Sequence, residues 1–508
     1  MSVTPPTFLR RKGPLAVVGI ALALLVAIAG PADPKIASMA AVAVLMAWWW
    51  VFEVVPIPVT SLLPLALLPA LDIQALKPVA SAYGKPVIFL FLGGLMLAMG
   101  LSRCGLDRRL ALLIVRAIGS RPSRLVLGFM TATGLLSMWI SNTASVMVML
   151  PIAMSVLHEA RNRGASDGDV ATIGTATMLG IAYAGNIGGM ATPIGTPPNL
   201  VFVQMMAKLF PAAPAVSFAN WMMLAVPMVA VFTLIGWLLL TRVLFRLPDV
   251  PMMGDSDAIR QAVASLGSWR RDELVTGAVF ATTALLWMTG ADLRLGDGAT
   301  IPGWRSMFEL KSFGDASVAV AAATLLFVLP SAERRGEALM DWATARELPW
   351  GLLLLFGGGF ALAGGFKVSG LSAAIGTAVA GLSGLHPIAL VVIVCLVLTF
   401  TTELTSNTAT TTLVLPILAK AAPALGLDPR TLMVPATLSA SCAFMMPVAT
   451  PPNAIVFGSG YIRIGQMVRA GIVFNVVGVV IIATLFALLG PTALGMELDV
   501  VPAWALGN

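Results

Sequence analysis

The sequence SNTASVMVMLPI occupies residues 141–152, and SNTATTTLVLPI occupies residues 406–417. Seven of the twelve positions are identical. Each copy places a Ser-Asn-Thr tripeptide inside a long apolar stretch, where an unpaired asparagine side chain is costly. A helix, a polar tip and a second helix account for this pattern, so each copy predicts a re-entrant helical hairpin.

The overall composition indicates that the chain is an integral membrane protein. Of its 508 residues, 58% are hydrophobic and 11% are charged, whereas soluble domains have about 25% charged residues. Apolar segments follow one another from Leu15 to Leu489, which predicts one all-α polytopic membrane unit. The Lys and Arg residues lie in loops between these segments, so they indicate membrane orientation and do not favour nucleic-acid binding. The three cysteines show no metal-ligand spacing.

A second pair of motifs interrupts two other apolar segments. GTPPN occupies residues 195–199 and ATPPN occupies residues 449–453. Two consecutive prolines remove backbone donors and clash with the preceding helical turn. Both segments are therefore predicted to be broken helices, which membranes tolerate only where protein, water or ligand satisfies the freed groups.

These motifs belong to an internal duplication. Ser141 and Ser406 are 265 positions apart. The same spacing relates FLGGLMLAMGLSRCGL at residues 91–106 to FGGGFALAGGFKVSGL at residues 356–371. At the two proline motifs the spacing is 254, because the first copy has a longer loop. Similar segments that recur at nearly constant spacing indicate two structural repeats.

The charges predict that the two repeats have opposite orientations. Residues 101–124 carry six arginines, whereas Lys367 is the one Lys or Arg in the equivalent residues 366–389. Since arginine marks the cytoplasmic side, equivalent loops are expected on opposite faces of the membrane. Inverted repeats with broken helices are typical of secondary transporters, whose sites lie near the membrane midplane.

The chain is accordingly divided into five parts, with the N-terminus in the cytoplasm and the C-terminus outside. These are an N-terminal segment with the first transmembrane helix (1–35), the first inverted repeat (36–246), a cytoplasmic linker (247–272), the second inverted repeat (273–490) and a C-terminal tail (491–508). The apolar N-terminal segment also fits a cleaved signal peptide, and both readings stay open. No role is assigned to the long region 247–315.

The predicted hairpin tips and helix breaks provide the groups that could bind a ligand. Backbone N–H groups at helix N-termini suit an anion, while carbonyls and Ser, Thr and Asn oxygens suit a small hard cation. The polar set is neutral: Ser141, Asn142, Thr143, Thr196, Asn199, Ser406, Asn407, Thr408, Thr410, Thr450 and Asn453. A multiply charged anion would be bound mainly by dipoles, with bound cations offsetting its charge.

These residues resemble a known family. The doubled SNT motif, the paired TPPN breaks and EVVPIPVTSLLPLALLPAL at residues 53–71 are similar to the divalent anion:sodium symporter family, which carries dicarboxylates, citrate or sulfate. The resemblance extends over about residues 41–475. It implies about eleven transmembrane helices, a homodimer with scaffold and transport domains, and an elevator movement of the site.

The resemblance also implies roles for individual residues. The first sodium site would contain Ser137, Ser141, Asn142 and the Gly195 carbonyl, and the second Thr402, Ser406, Asn407 and the Ala449 carbonyl. Two or more sodium sites are expected. The substrate carboxylates would contact Asn142 with Thr143 and Asn407 with Thr408, and the pocket would be completed by Thr196, Thr410, Thr450 and Pro451. The expected function is sodium-coupled transport of succinate-like C4-dicarboxylates across the inner membrane.

Several alternatives remain open at this point. A sodium-independent dicarboxylate exchanger, or a citrate or sulfate transporter, would use the same fold. An enzyme is not expected, because no nucleophile and base accompany the repeated motifs and neither of the two histidines lies in them. Glu403 has no counterpart, since Met138 occupies the equivalent position. Its partner is expected to be either Lys367 or backbone donors, in a functional or a structural role.

Overall fold

The computed structural model describes residues 12–119, 121–162, 165–247, 257–294, 300–310, 312–379 and 384–506. In the N-terminal half the helices are Gly13–Ala29, Pro34–Val51, Ile57–Thr60, Leu63–Ala70, Leu76–Ser81, Pro86–Cys104, Leu106–Ile118, Pro122–Ser137, Asn142–Asn162, Asp167–Gly189, Pro197–Leu209 and Phe218–Leu238, with a 3-10 turn at Ala82–Gly84 and a π-helical turn at Leu239–Leu244.

In the C-terminal half the helices are Asp257–Ser265, Arg271–Thr289, Trp304–Met307, Asp315–Val328, Trp342–Ala345, Trp350–Ser369, Leu371–Val379, Pro387–Thr402, Asn407–Ala424, Pro429–Ser439, Pro451–Phe457, Ile464–Leu494 and Ala503–Leu506. The strands Leu293–Arg294 and Thr300–Ile301 pair antiparallel. Among the described residues, seven helical stretches are long and apolar enough to cross a membrane, and four shorter apolar helices have 10–17 residues. The prediction of an all-α polytopic membrane protein is confirmed.

Each SNT motif begins the second helix of a hairpin. Pro122–Ser137 and Asn142–Asn162 form the first hairpin, and Pro387–Thr402 and Asn407–Ala424 form the second. The serine of each motif caps its helix, since Ser141 Oγ accepts from the Ala144 N–H at 3.2 Å and Ser406 Oγ accepts from the Ala409 N–H at 3.4 Å. This is the usual way to satisfy an orphan donor at a helix start.

Each TPPN motif restarts a helix after a break. The first broken helix runs over Asp167–Gly189 and Pro197–Leu209, and the second over Pro429–Ser439 and Pro451–Phe457. The prolines occupy the first helical positions, where a missing N–H costs nothing. The predicted breaks therefore lie at the expected motifs.

The asparagine of each TPPN motif holds its break together. Asn199 Nδ2 donates to the carbonyls of Gly189 (3.1 Å) and Thr192 (2.8 Å). Asn453 Nδ2 donates to the carbonyls of Ala443 and Met446, both at 3.0 Å. Carbonyls left unpaired at a helix C-terminus need such partners. These asparagines thus stabilise the breaks from within, and both are fully buried.

The two repeats interleave at the centre of the protein. Helix Asp167–Gly189 of the first broken helix packs on Pro451–Phe457 of the second. Helix Pro197–Leu209 packs on the second hairpin's Asn407–Ala424. Each half of the central region is therefore built from both repeats.

The region with no role assigned from sequence docks on the first repeat. Helix Asp257–Ser265 packs on Leu106–Ile118, and Arg109 Nε lies 2.9 Å from Glu273 Oε2. The same guanidinium donates to the carbonyls of residues 266–268. Arg109 and Glu273 are both buried, so this ion pair and the carbonyl contacts hold the end of the linker and the helix that follows it against Leu106–Ile118. Residues 248–256, within the predicted linker, lie outside the described residues.

Candidate functional site

A cavity of about 770 Å³ brings together both hairpin tips and both helix breaks. Its lining from these elements comprises Trp139, Ile140, Ser141, Asn142, Thr143, Asn186, Ile194, Gly195, Thr196, Pro197, Pro198, Leu404, Thr405, Ser406, Asn407, Thr408, Pro447, Val448, Ala449, Thr450, Pro451, Pro452 and Ala454. Four motifs that are far apart in the chain therefore share one site.

The predicted substrate-binding residues lie at this cavity with one exception. Asn142, Thr143, Thr196, Asn407, Thr408, Thr450 and Pro451 line it. Thr410 does not, and its Oγ1 lies 2.7 Å from Thr405 Oγ1 behind the second tip. Of the predicted sodium ligands, Ser141, Gly195, Ser406 and Ala449 also line the cavity, whereas Ser137 and Thr402 are buried behind it.

Oxygen atoms cluster behind the first tip. Ser137 Oγ lies 2.7 Å from Asn142 Oδ1 and 2.6 Å from the Gly185 carbonyl. The hydroxyl has one hydrogen and faces two acceptors, so it can donate to one of them only. The three neutral oxygens form the kind of donor set that a hard cation prefers.

Gly195 extends this set with carbonyl groups. A Cβ atom on Gly195 would lie 2.6 Å from the Gly189 carbonyl oxygen and 3.0 Å from those of Ser137 and Met138. Main-chain oxygens therefore converge on the one position of the break that has no side chain. We refer to these oxygens, with Ser137 Oγ, Asn142 Oδ1 and the Gly185 carbonyl, as the first oxygen cluster. All are neutral oxygens, which suit a small hard cation.

The equivalent atoms of the second repeat are less fully paired. Asn407 Oδ1 and Ser439 Oγ are buried and have no hydrogen-bond partner among the described residues. Thr402 Oγ1 donates to the Thr399 carbonyl at 3.1 Å. These side chains, with the Ala449 carbonyl, are the second oxygen cluster. A buried oxygen without a donor is costly, and a cation would satisfy it.

Ser439 was missed by the sequence reasoning, although a signal was present. The spacing of 254 that relates the two TPPN motifs pairs Ser439 with Gly185. The second repeat therefore has a hydroxyl where the first has no side chain. Ser439 is fully buried.

Asn186 was also missed, and it connects the two repeats. Its Nδ2 donates to the Ala443 carbonyl and to Thr450 Oγ1, both at 3.2 Å. Asn186 is itself buried and lines the cavity. Its counterpart at a spacing of 254 is Ala440, so the duplication could not reveal it. An asparagine inside the apolar helix Asp167–Gly189 was the available signal.

The cavity is nearly free of charged side chains. Among the described lining residues, Lys12 and Glu53 are the charged ones, and Lys12 Nζ donates to the Glu53 carbonyl. Helices begin at Asn142, Pro197, Asn407 and Pro451 beside the cavity. Their N-terminal N–H groups provide positive potential for an anion without a cationic side chain.

Broken helices and hairpin tips from two repeats, converging on a neutral cavity with oxygen clusters, define a secondary transporter. Residues 9–495 match the family described as the sodium:sulfate symporter transmembrane region. The chain belongs to this family, which confirms the resemblance found from its motifs. It is a transporter and not an enzyme.

Curated relatives and one solved structure are similar over most of the chain. The sodium-dependent dicarboxylate transporter SdcS of Staphylococcus aureus is 40% identical over 463 residues in strains bovine RF122 / ET3-1 and NCTC 8325 / PS 47, covering 90% of this chain and 87% of the relative. The crystal structure of the YdaH transporter of Alcanivorax borkumensis is similar with a TM-score of 0.57 at 16% identity. It covers 89% of this chain and 99% of that chain, and it supports the fold alone.

Proposed function

We propose that the protein carries succinate-like C4-dicarboxylates across the inner membrane together with sodium ions. The observation that carries this proposal is the pair of neutral oxygen clusters, one behind each hairpin tip of a single cavity. A relative that is 40% identical is named a sodium-dependent dicarboxylate transporter, which supports the same substrate and the same ion.

The two ends of the cavity suit the two carboxylates of one substrate. One carboxylate contacts Asn142 and Thr143, and the other contacts Asn407 and Thr408. Thr196, Thr450 and Pro451 complete the pocket, since they lie at the breaks beside these tips. Hydrogen bonds to a charged group contribute about 1.5–3 kcal/mol each, so neutral donors at both ends are sufficient to select a dianion.

Sodium ions would be coupled to the dianion through the same asparagines. The first site contains Ser137, Ser141, Asn142 and the Gly195 carbonyl. The second contains Thr402, Ser406, Asn407 and the Ala449 carbonyl. Each asparagine offers Oδ1 to a cation and Nδ2 to the substrate. A bound cation therefore orients the amide and offsets the substrate's negative charge, which makes binding of the two interdependent.

The experiment that tests this function is succinate uptake into proteoliposomes, with and without an inward sodium gradient at matched membrane potential. Accumulation that requires sodium is the expected result. Uptake that ignores sodium but requires internal dicarboxylate would make the protein an exchanger. If succinate is not carried, the same assay with citrate and sulfate identifies the anion, and the sodium:sulfate symporter family to which the chain belongs makes sulfate the first alternative.

The movement and assembly are part of the proposal. The hairpins are re-entrant, the two repeats are inverted, and the protein is a homodimer in which an elevator movement carries the site across the membrane. The N-terminus lies in the cytoplasm and the C-terminus outside. The asymmetry of arginines between residues 101–124 and 366–389 supports this arrangement.

Inverted topology predicts opposite labelling of two equivalent helices. Arg108 and Ala373 are exposed and lie near the starts of Leu106–Ile118 and Leu371–Val379. Cysteine at position 108 is expected to react with a membrane-impermeant maleimide from the cytoplasmic side only, and cysteine at position 373 from the outside only. The native cysteines are buried, and the unsubstituted protein is the control. Labelling of both positions from one side would contradict the inversion.

A further inference from the structure

Glu403 is a carboxylate at the tip of the second hairpin. It follows helix Pro387–Thr402 and precedes the SNT motif. Its residue exposure is 3%, although it lies within a membrane-embedded region of the chain. A carboxylate in such surroundings is expensive unless several donors satisfy it.

Four N–H groups satisfy this carboxylate. Oε1 accepts from the Phe444 N–H at 2.7 Å and from Asn475 Nδ2 at 2.7 Å. The Met445 N–H reaches Oε1 and Oε2 at 2.9 and 3.0 Å, and the Met446 N–H reaches Oε2 at 3.1 Å. Every neighbour in this set is a donor, so the arrangement fits an ionised carboxylate, which only accepts.

The donors come from the break of the second broken helix. Residues 444–446 lie between its halves, which end at Ser439 and resume at Pro451. Three successive N–H groups that converge on one anion form a nest, a common way to bind a carboxylate. Glu403 thus ties the hairpin tip directly to the break.

The other side of the break is held by the last long helix. Asn475 belongs to Ile464–Leu494 and is fully buried. On the same helix, a Cβ at Gly471 would lie 2.5 Å from the Met445 nitrogen and the Phe444 carbonyl oxygen. The absence of a side chain therefore lets this helix contact the break directly. Residues 444–446 are clamped between the helix and Glu403.

The first repeat has a weaker connection at the same place. Met138 replaces Glu403, and Thr192 is the counterpart of Met446. There, Thr192 Oγ1 donates to the Met138 carbonyl at 2.5 Å. One hydroxyl joins tip and break here, whereas three backbone N–H groups join them in the second repeat. The two halves of the site are therefore not equivalent in how firmly tip and break are joined.

We propose that Glu403 is a positioning residue for the second oxygen cluster. By holding residues 444–446 against the tip, its ionised carboxylate fixes the Ala449 carbonyl relative to Asn407 and Thr402. This inference rests on the proposed sodium coupling and deepens it. The second cluster is preorganised for a cation by several N–H bonds between tip and break, whereas the first has the Thr192 hydroxyl bond at this place.

The test is the sodium dependence of succinate uptake by Glu403→Gln in proteoliposomes. Glutamine keeps the volume but turns an NH₂ group toward N–H donors, so residues 444–446 are released. The sodium concentration for half-maximal uptake is expected to rise by about tenfold or more, because charge-assisted hydrogen bonds are lost. Glu403→Asp, which retains the charge, is expected to restore part of the wild-type sodium dependence. A merely structural role would lower the amount of active protein and leave this concentration unchanged.

Asp272→Asn is the matched control. Asp272 is a buried carboxylate that accepts from the Ala332 N–H at 2.7 Å, and it lies outside the cavity lining. Its amide variant is expected to keep wild-type sodium dependence. If Glu403→Gln does not fold, Asn475→Ala removes one of the four donors, and a rise of a few fold is expected. Wild-type sodium dependence in the folded Glu403 variant, or in Asn475→Ala where Glu403→Gln does not fold, would overturn the proposal.

Failure of the proposed function would look different. If wild-type uptake ignores sodium, the coupling itself is wrong, and Glu403 is then judged by the thermal stability of the purified protein with sodium chloride against choline chloride. Stabilisation by sodium that is lost in Glu403→Gln supports the positioning role. Equal stabilisation of both proteins refutes it.

Discussion

Asn142→Ala and Asn407→Ala are each expected to abolish succinate uptake while leaving the protein folded and inserted. Each asparagine lies at a hairpin tip on the cavity, where it is proposed to bind a sodium ion and a substrate carboxylate at once. A hydrogen bond to a charged group contributes about 1.5–3 kcal/mol, so its loss alone lowers uptake at subsaturating substrate by roughly 10- to 100-fold, and loss of the sodium ligand lowers it further. Initial rates in proteoliposomes with equal amounts of protein measure this.

Asn162→Ala is the control for this pair. Asn162 ends the second helix of the first hairpin and is exposed, so its amide can be removed without affecting the cavity. It is expected to transport at the wild-type rate. Normal uptake by either Asn142→Ala or Asn407→Ala would remove the assigned site.

Gly195→Ala is expected to eliminate the first oxygen cluster with a single methyl group. The new Cβ would lie 2.6 Å from the Gly189 carbonyl oxygen, in the space that a cation is proposed to occupy. Overpacking typically costs about 1–3 kcal/mol, and the backbone oxygens here have no rotamers through which to relax. Sodium-dependent uptake should fall to background or need more than about tenfold higher sodium. A sodium titration of the initial rate measures the change.

Gly465→Ala makes the same change where there is room. Gly465 lies in helix Ile464–Leu494, and among the described residues a Cβ there meets nothing within 4 Å. This variant is expected to transport like the wild type and to be at least as stable, since alanine favours helix. If Gly195→Ala and Gly465→Ala show the same sodium dependence of the initial rate, the oxygens around Gly195 do not bind the ion.

The sequence predicted the hairpins and the broken helices because local chemistry specifies where their helices begin. The serine of SNT caps a helix in both copies, and the consecutive prolines at 197–198 and 451–452 occupy the first positions of the helices that follow each break. Duplication then related the two halves by spacing alone. These signals need no knowledge of which helix contacts which.

The features that the sequence missed or left open depend on tertiary contacts. Asn186 reaches Ala443 and Thr450, and the sequence contains no pattern that pairs these positions. The sequence left two partners open for Glu403, and the structure gives it N–H donors of residues 444–446 and Asn475. A backbone donor has no side-chain identity, so no residue type could have indicated it.

The contact between Asn186 and Ala443 has a consequence for the synthesis of the protein. The two residues are 257 positions apart, and ribosomes add about 5–20 residues per second. Ala443 is therefore synthesised roughly 13–50 s after Asn186. During this time its amide has to be satisfied by water or lipid headgroups. The contact between the two repeats therefore cannot form until the second repeat is nearly complete. Transport competence is acquired only at the end of translation.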